Sequence, residues 1–94
     1  MGQNNGSPTH QITLSGEYDL ARKQELGSIF ASITNGDPVT LDMSRVTYVD
    51  STFLNELASM RMRYQERPVT LVGVQANVAR ILRIAKLDRF FTFR

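Results

Sequence analysis

Ninety-four residues are enough for one compact domain and too few for two. With 41% hydrophobic residues and a formal net charge of +2, the chain is globular rather than disordered. It has no cysteine, which excludes a disulfide framework and a thiolate metal site, and its one histidine, His10, sits in a polar stretch without metal-binding partners.

Residues 1–9, MGQNNGSPT, lack the basic start and apolar centre of a signal peptide. Residues 1–10 are expected to be a flexible leader, native or left by cloning, and residues 11–94 the folded domain. No apolar run approaches the roughly 20 residues that span a bilayer, so a cytoplasmic setting without membrane insertion is expected.

Ile12, Thr13 and Leu14 alternate within a short strand, Gln11 to Ser15, that ends at Gly16. Asp19 then suits the N-cap of a helix whose apolar face is Leu26, Ile29, Phe30 and Ile33, spaced i, i+3, i+4, i+7. Asn35-Gly36 supplies a left-handed stop, and Asp37-Pro38 leads into a strand from Val39 to Met43. Ser44 to Asp50 reads as a connector anchored by Val46 and Val49. A second helix begins near Ser51 and buries Phe53, Leu57, Met60 and Tyr64, with Leu54 and Ala58 widening the stripe. Arg67-Pro68 closes it.

Val69 to Val74 suits a buried strand. Val78, Ile81, Leu82 and Ala85 mark a third helix over about 76–87, and Phe90 to Phe93 a last strand. The order β-α-β-α-β-α-β predicts a single α/β domain, with a mostly parallel sheet of four strands packed against three helices.

Charge is unevenly distributed. Residues 1–60 hold three Lys/Arg against seven Asp/Glu, whereas residues 61–94 hold eight against two. The basic half fits either a nucleic-acid surface or arginines on solvated helix faces near helix C-termini. It carries no RNP-like aromatic motif and no helix-turn-helix spacing, so direct nucleic-acid binding is not expected.

Parallel sheets present ligands and partners at the carboxyl ends of their strands. The densest polar group there is Asp50-Ser51-Thr52, at a strand-to-helix junction. These residue types are good helix caps. A hydroxyl in a first helical turn is also exposed, and a phosphate on it would lie in the favourable field of the helix dipole. Both readings stand on local grounds. Enzymatic readings are weaker: a serine nucleophile lacks a histidine base, and the glycines form no phosphate loop. Asp42 reads as ending its strand by bonding loop amides rather than as an acid or base. A phospho-aspartate receiver would need paired acids after its first strand, a late lysine and more strands.

Taken in order, Leu14-Ser-Gly-Glu-Tyr-Asp19, Val39-Thr-Leu-Asp-Met-Ser44, Val46-Thr-Tyr-Val-Asp-Ser-Thr52, Val69-Thr-Leu-Val-Gly73 and Val78-Ala-Arg-Ile-Leu-Arg-Ile-Ala-Lys-Leu87, followed by Phe90-Phe91, resemble the STAS domain of anti-sigma factor antagonists. The resemblance runs over residues 11–93. It implies a non-enzymatic module, without cofactor or metal, that binds an anti-sigma factor serine kinase and so frees a sigma factor for transcription. The kinase would inactivate it by phosphorylating the serine matching Ser51, and a serine phosphatase would reverse this. The resemblance implies a partner surface of Glu17, Tyr18, Asp19, Asp50, Ser51, Thr52, Asn55 and Glu56.

The chain departs from the family at Phe53, where a glycine is usual. It is also short before the first strand, and it ends at Arg94 where many relatives add a helix, which favours a homodimer or larger assembly. The family also includes stressosome subunits, anion-transporter tails and a subunit of a bacterial lipid-transport ATPase complex, which supplies the alternative role.

Overall fold

The computed structural model describes residues 10–33, 38–65 and 67–94. Among these, four strands form one parallel sheet in the order β1-β2-β3-β4: β1 His10–Tyr18, β2 Val39–Val49, β3 Val69–Val72 and β4 Thr92–Phe93. Three helices connect them: α1 Lys23–Ala31, α2 Ser51–Arg63 and α3 Ala76–Ile84. Short 3-10 turns at Leu20–Arg22 and Asp88–Phe90 precede α1 and β4. The predicted α/β class, strand number and helix number are all present.

One hydrophobic cluster holds the layers together. Leu14 and Tyr18 of β1 meet Leu41, Met43, Val46 and Val49 of β2, under Leu26 and Phe30 of α1 and Phe53, Leu57 and Met60 of α2. Val78 and Leu82 complete it from α3. On β1 the alternate residues Gln11, Thr13, Ser15 and Glu17 are exposed, so the helices cover one face and the other is polar. All three predicted helical stripes face this core. Ala85 is the exception: it is exposed, because α3 has already ended.

Several boundaries differ from expectation, for identifiable reasons. β1 opens at His10 and runs past Gly16 to Tyr18 rather than stopping at the glycine. Gly16 takes φ +86°, and the pairing with β2 shifts register on either side of it, so it marks an irregularity inside the strand. β2 likewise continues through the expected connector to Val49. Asp42 does not end the strand. Its Oδ1 accepts from the backbone N–H of Ser44 at 3.0 Å and its hydroxyl at 2.7 Å, beside the bulge where Thr13 pairs with Asp42 but Ser15 with Arg45. Those same bonds hold the Asp42 carboxyl below the usual range, the amide contributing most.

β3 ends at Val72, since Gly73 turns the chain at φ +70°; a Cβ there would meet Ser44 Cβ at 2.8 Å. α3 ends at Ile84, short of residue 87. Lys86 adopts φ +61°, and Leu87 and Lys86 donate to the carbonyls of Leu82 and Arg83, a Schellman closure made without the usual glycine. β4 is reduced to Thr92–Phe93 by the turn before it. The Asn35-Gly36 stop, Asp37 and the leader over 1–9 lie outside the described residues.

Candidate functional site at the carboxyl ends of β1 and β2

β1 and β2 are in register at their last residues, Tyr18 opposite Val49, and an aspartate follows each strand. The backbone N–H of Asp50 donates to the Tyr18 carbonyl at 3.2 Å and ties the two junctions together. Each aspartate is extended and caps the helical turn after it. Asp50 Oδ1 accepts from Thr52 N–H at 2.8 Å and Phe53 N–H at 3.3 Å. Asp19 Oδ1 accepts from Ala21 N–H at 3.0 Å.

Because Asp50 caps α2, Ser51 is not needed for that purpose. It occupies the first helical position and is exposed, and its hydroxyl makes no hydrogen bond among the described residues. The two local readings of Asp50-Ser51-Thr52 therefore fall on different residues: the carboxylate caps, and the hydroxyl faces solvent beside the helix N-terminus. Thr52 is half-buried, Asn55 exposed and Glu56 half-buried.

Phe53 belongs to the core. It is 0% exposed and its ring lies 5.4 Å from that of Tyr18. Tyr18 itself is 2% exposed: its ring packs inward while Glu17 and Asp19 on either side are exposed. Arg22 fixes this first loop. Its guanidinium stacks 4.0 Å from the Tyr18 ring centre and donates to the carbonyls of Ser15 at 2.6 Å and Glu17 at 3.3 Å. It also donates to both Glu25 carboxylate oxygens, at 3.0 and 2.6 Å. These bonds hold the Glu25 carboxyl below its usual range and raise Arg22 further.

Two exposed apolar side chains beside the site were not among the expected contacts. Leu20, the residue after the Asp19 cap, is 71% exposed, and Tyr48 is 47% exposed. Leu20 stands at the head of a shallow groove of about 580 Å³ between α1 and α2, walled by Gln24, Gly27, Ser28, Ala31 and Glu56. The sequence does hold a signal for Leu20, because it is out of phase with the 26, 29, 30, 33 stripe. Among the described residues no cluster of His, Cys, Asp or Glu could hold a metal ion. No helix among them is long and apolar enough to cross a membrane.

A one-faced parallel α/β domain with an exposed hydroxyl at a helix start is the class that the geometry defines. Residues 1–92 match the family model described as "Mlab, STAS domain", and the chain belongs to the STAS family. Its fold is similar to that of a sulfate transporter family protein from Wolinella succinogenes, with 18% identity, a TM-score of 0.73, and 95% of this chain and 80% of that one covered. It is also similar to the SulP transporter STAS domain from Vibrio cholerae, with 16% identity, a TM-score of 0.62, and 92% and 73% covered. No curated protein matches the sequence significantly.

Proposed function

We propose that this chain is a cytoplasmic, non-enzymatic binding module of the anti-sigma factor antagonist type, switched by phosphorylation at Ser51. Unmodified, it would bind an anti-sigma serine kinase through Glu17, Asp19, Leu20, Asp50, Ser51, Asn55 and Glu56, and thereby release a sigma factor. ATP and magnesium belong to the kinase; a serine phosphatase would reset the switch.

The observation that carries this reading is the division of labour at the start of α2. Asp50 satisfies the helix amides, so the exposed Ser51 hydroxyl can be modified without losing the cap. A phosphate there adds about −1.5 to −2 charge. The fold should tolerate it, since the helix N-terminus favours an anion, while a surface that already carries Glu17, Asp19 and Asp50 becomes sharply more acidic.

Incubation with the cognate kinase and ATP should add one phosphate at Ser51, read by mass spectrometry of the intact chain and its peptides. Ser51→Ala should keep kinase binding and resist modification. Ser51→Glu should keep the wild-type circular dichroism and bind poorly. An unmodified Ser51 would sink the switch.

A second reading draws on the description of the matching family model, which names Mlab rather than an antagonist. Here the same surface would hold the chain permanently in a lipid-transport ATPase complex, or in a stressosome-like assembly. Stable co-purification with an ATPase, indifferent to alanine or glutamate at position 51, would favour it.

A further inference from the structure

The opposite end of α2 carries a second surface. Position 61 is ten residues beyond Ser51, about 15 Å along the helix axis. There Ala58, Arg61 and Met62 face Leu87, Phe90 and Phe91 across a groove of about 170 Å³. Met62 is 68% exposed and Phe90 50%, so these lips offer apolar surface to solvent.

The groove is held in shape rather than left between loose loops. Arg61 Nε donates to the Phe90 carbonyl at 2.7 Å and its guanidinium also donates to the Tyr64 carbonyl at 3.0 Å. This pins the Asp88–Phe90 turn against α2 across 29 residues of sequence. Its surroundings are basic. Arg61 lines the groove itself, and Lys86 and Arg89 are exposed chain neighbours of the groove residues Leu87 and Phe90; Asp88 is the carboxylate in that stretch. The Ser51 end is acidic, so the two ends of α2 suit partners of opposite charge.

We propose that this groove is a docking site for an acidic protein segment that inserts one apolar side chain, with flanking carboxylates meeting Lys86 and Arg89. The concavity is several times a water's share of about 30 Å³ and suits a single leucine- or phenylalanine-sized anchor. A flat lipid surface would leave it unfilled, which is why the groove points to a peptide. Charge complementarity sets the sign of the flanks. The site is independent of the reading at Ser51.

The test uses the full chain and a fluorescent peptide bearing one leucine between glutamates, followed by anisotropy. Control peptides replace the leucine with alanine or the glutamates with lysines. Met62 and Arg89 are exposed, so Met62→Glu and Arg89→Glu should fold, as checked by circular dichroism. Either variant, or loss of the leucine, should weaken binding at least about tenfold. Affinity should also fall as salt rises and the Debye length shortens, while Ser51→Glu should leave it unchanged.

The proposal is overturned if the acidic peptide does not bind, or if the lysine peptide binds as well. It is also overturned if phosphatidylglycerol vesicles, but not the peptide, bind wild type and release Met62→Glu, because the surface is then a lipid contact. Self-association in sedimentation velocity that Met62→Glu abolishes would likewise replace the peptide with a second copy of the chain.

Discussion

The junctions after β1 and β2 begin almost identically and end differently. Asp19 has φ −123° and ψ −170°; Asp50 has φ −122° and ψ −169°. Each caps the turn after it and leaves the next residue exposed, Leu20 in one case and Ser51 in the other. The third residue after each cap separates them. After Asp50 it is Phe53, which enters the core and seats an α-helix directly. After Asp19 it is Arg22, which turns back onto the carbonyls of Ser15 and Glu17, and a 3-10 turn intervenes before α1. A cap therefore positions a helix start but does not decide what that start does. The neighbouring side chains make one junction an apolar contact on a latched loop, and the other a hydroxyl on a rigid helix.

Truncating the residue that seats α2 should break this contrast most strongly. Phe53→Ala is expected to cost about 3–5 kcal/mol in urea denaturation, the range for deleting a buried aromatic side chain. It should also free the Tyr18 ring, visible as altered aromatic chemical shifts. A cost within experimental error of a surface substitution would mean that Phe53 does not anchor the helix.

The caps themselves can be compared directly. Asp50 serves two amides and is half-buried, whereas Asp19 serves one and is exposed. Asp50→Ala should lose about 1–2 kcal/mol and Asp19→Ala about 0.5 kcal/mol, the upper and lower parts of the range for N-caps. Equal losses would show that the second amide contributes nothing. Because Asp50→Ala leaves Ser51 as the nearest hydroxyl to the uncapped amides, it should also slow the phosphorylation proposed there if that hydroxyl is recruited as a substitute cap.

The sequence made the helices legible because each carries a stripe at 3.6-residue spacing, and it placed the candidate site Asp50-Ser51 at the start of one, where the helix does begin. The course of β2 was hidden by its bulges. Val39, Leu41 and Met43 alternate, but Ser44 and Arg45 are both exposed and burial resumes at Val46 and then Val49. A period of two turned into a period of three, which reads as a connector. The end of α3 was hidden because Lys86 takes a left-handed conformation usually signalled by glycine. Leu20, Met62 and Ile84 are apolar residues out of phase with their neighbours' stripes, and all three are strongly exposed. Phase violations of this kind are the sequence trace of a surface, but they do not say what binds it. The Arg22 latch onto Ser15 and Glu17 left no trace, since those acceptors are backbone carbonyls that any sequence supplies; only its pairing with Glu25 shows, as an i, i+3 spacing of opposite charges.

The smallest effect concerns that latch. Glu25 is held below the usual glutamate range chiefly by its hydrogen bonds from Arg22. Its folded-state pKa is thus below its unfolded value. The pairing supports the fold above the unfolded pKa and is lost as pH falls through the folded one. Both groups are solvent-accessible, with side-chain exposures of 29% and 51%, so screening keeps the contribution small. An NMR titration of the Glu25 carboxyl should give a midpoint below that of an unpaired glutamate, and Arg22→Gln should return it to the ordinary value. The same substitution removes the donors to Ser15 and Glu17, so amide exchange in residues 15–18 should quicken while the first turn of α2 stays protected. If both junctions loosen together, the bond from Asp50 to Tyr18 makes them one unit, and the proposed partner surface would answer to Arg22 as well as to Ser51.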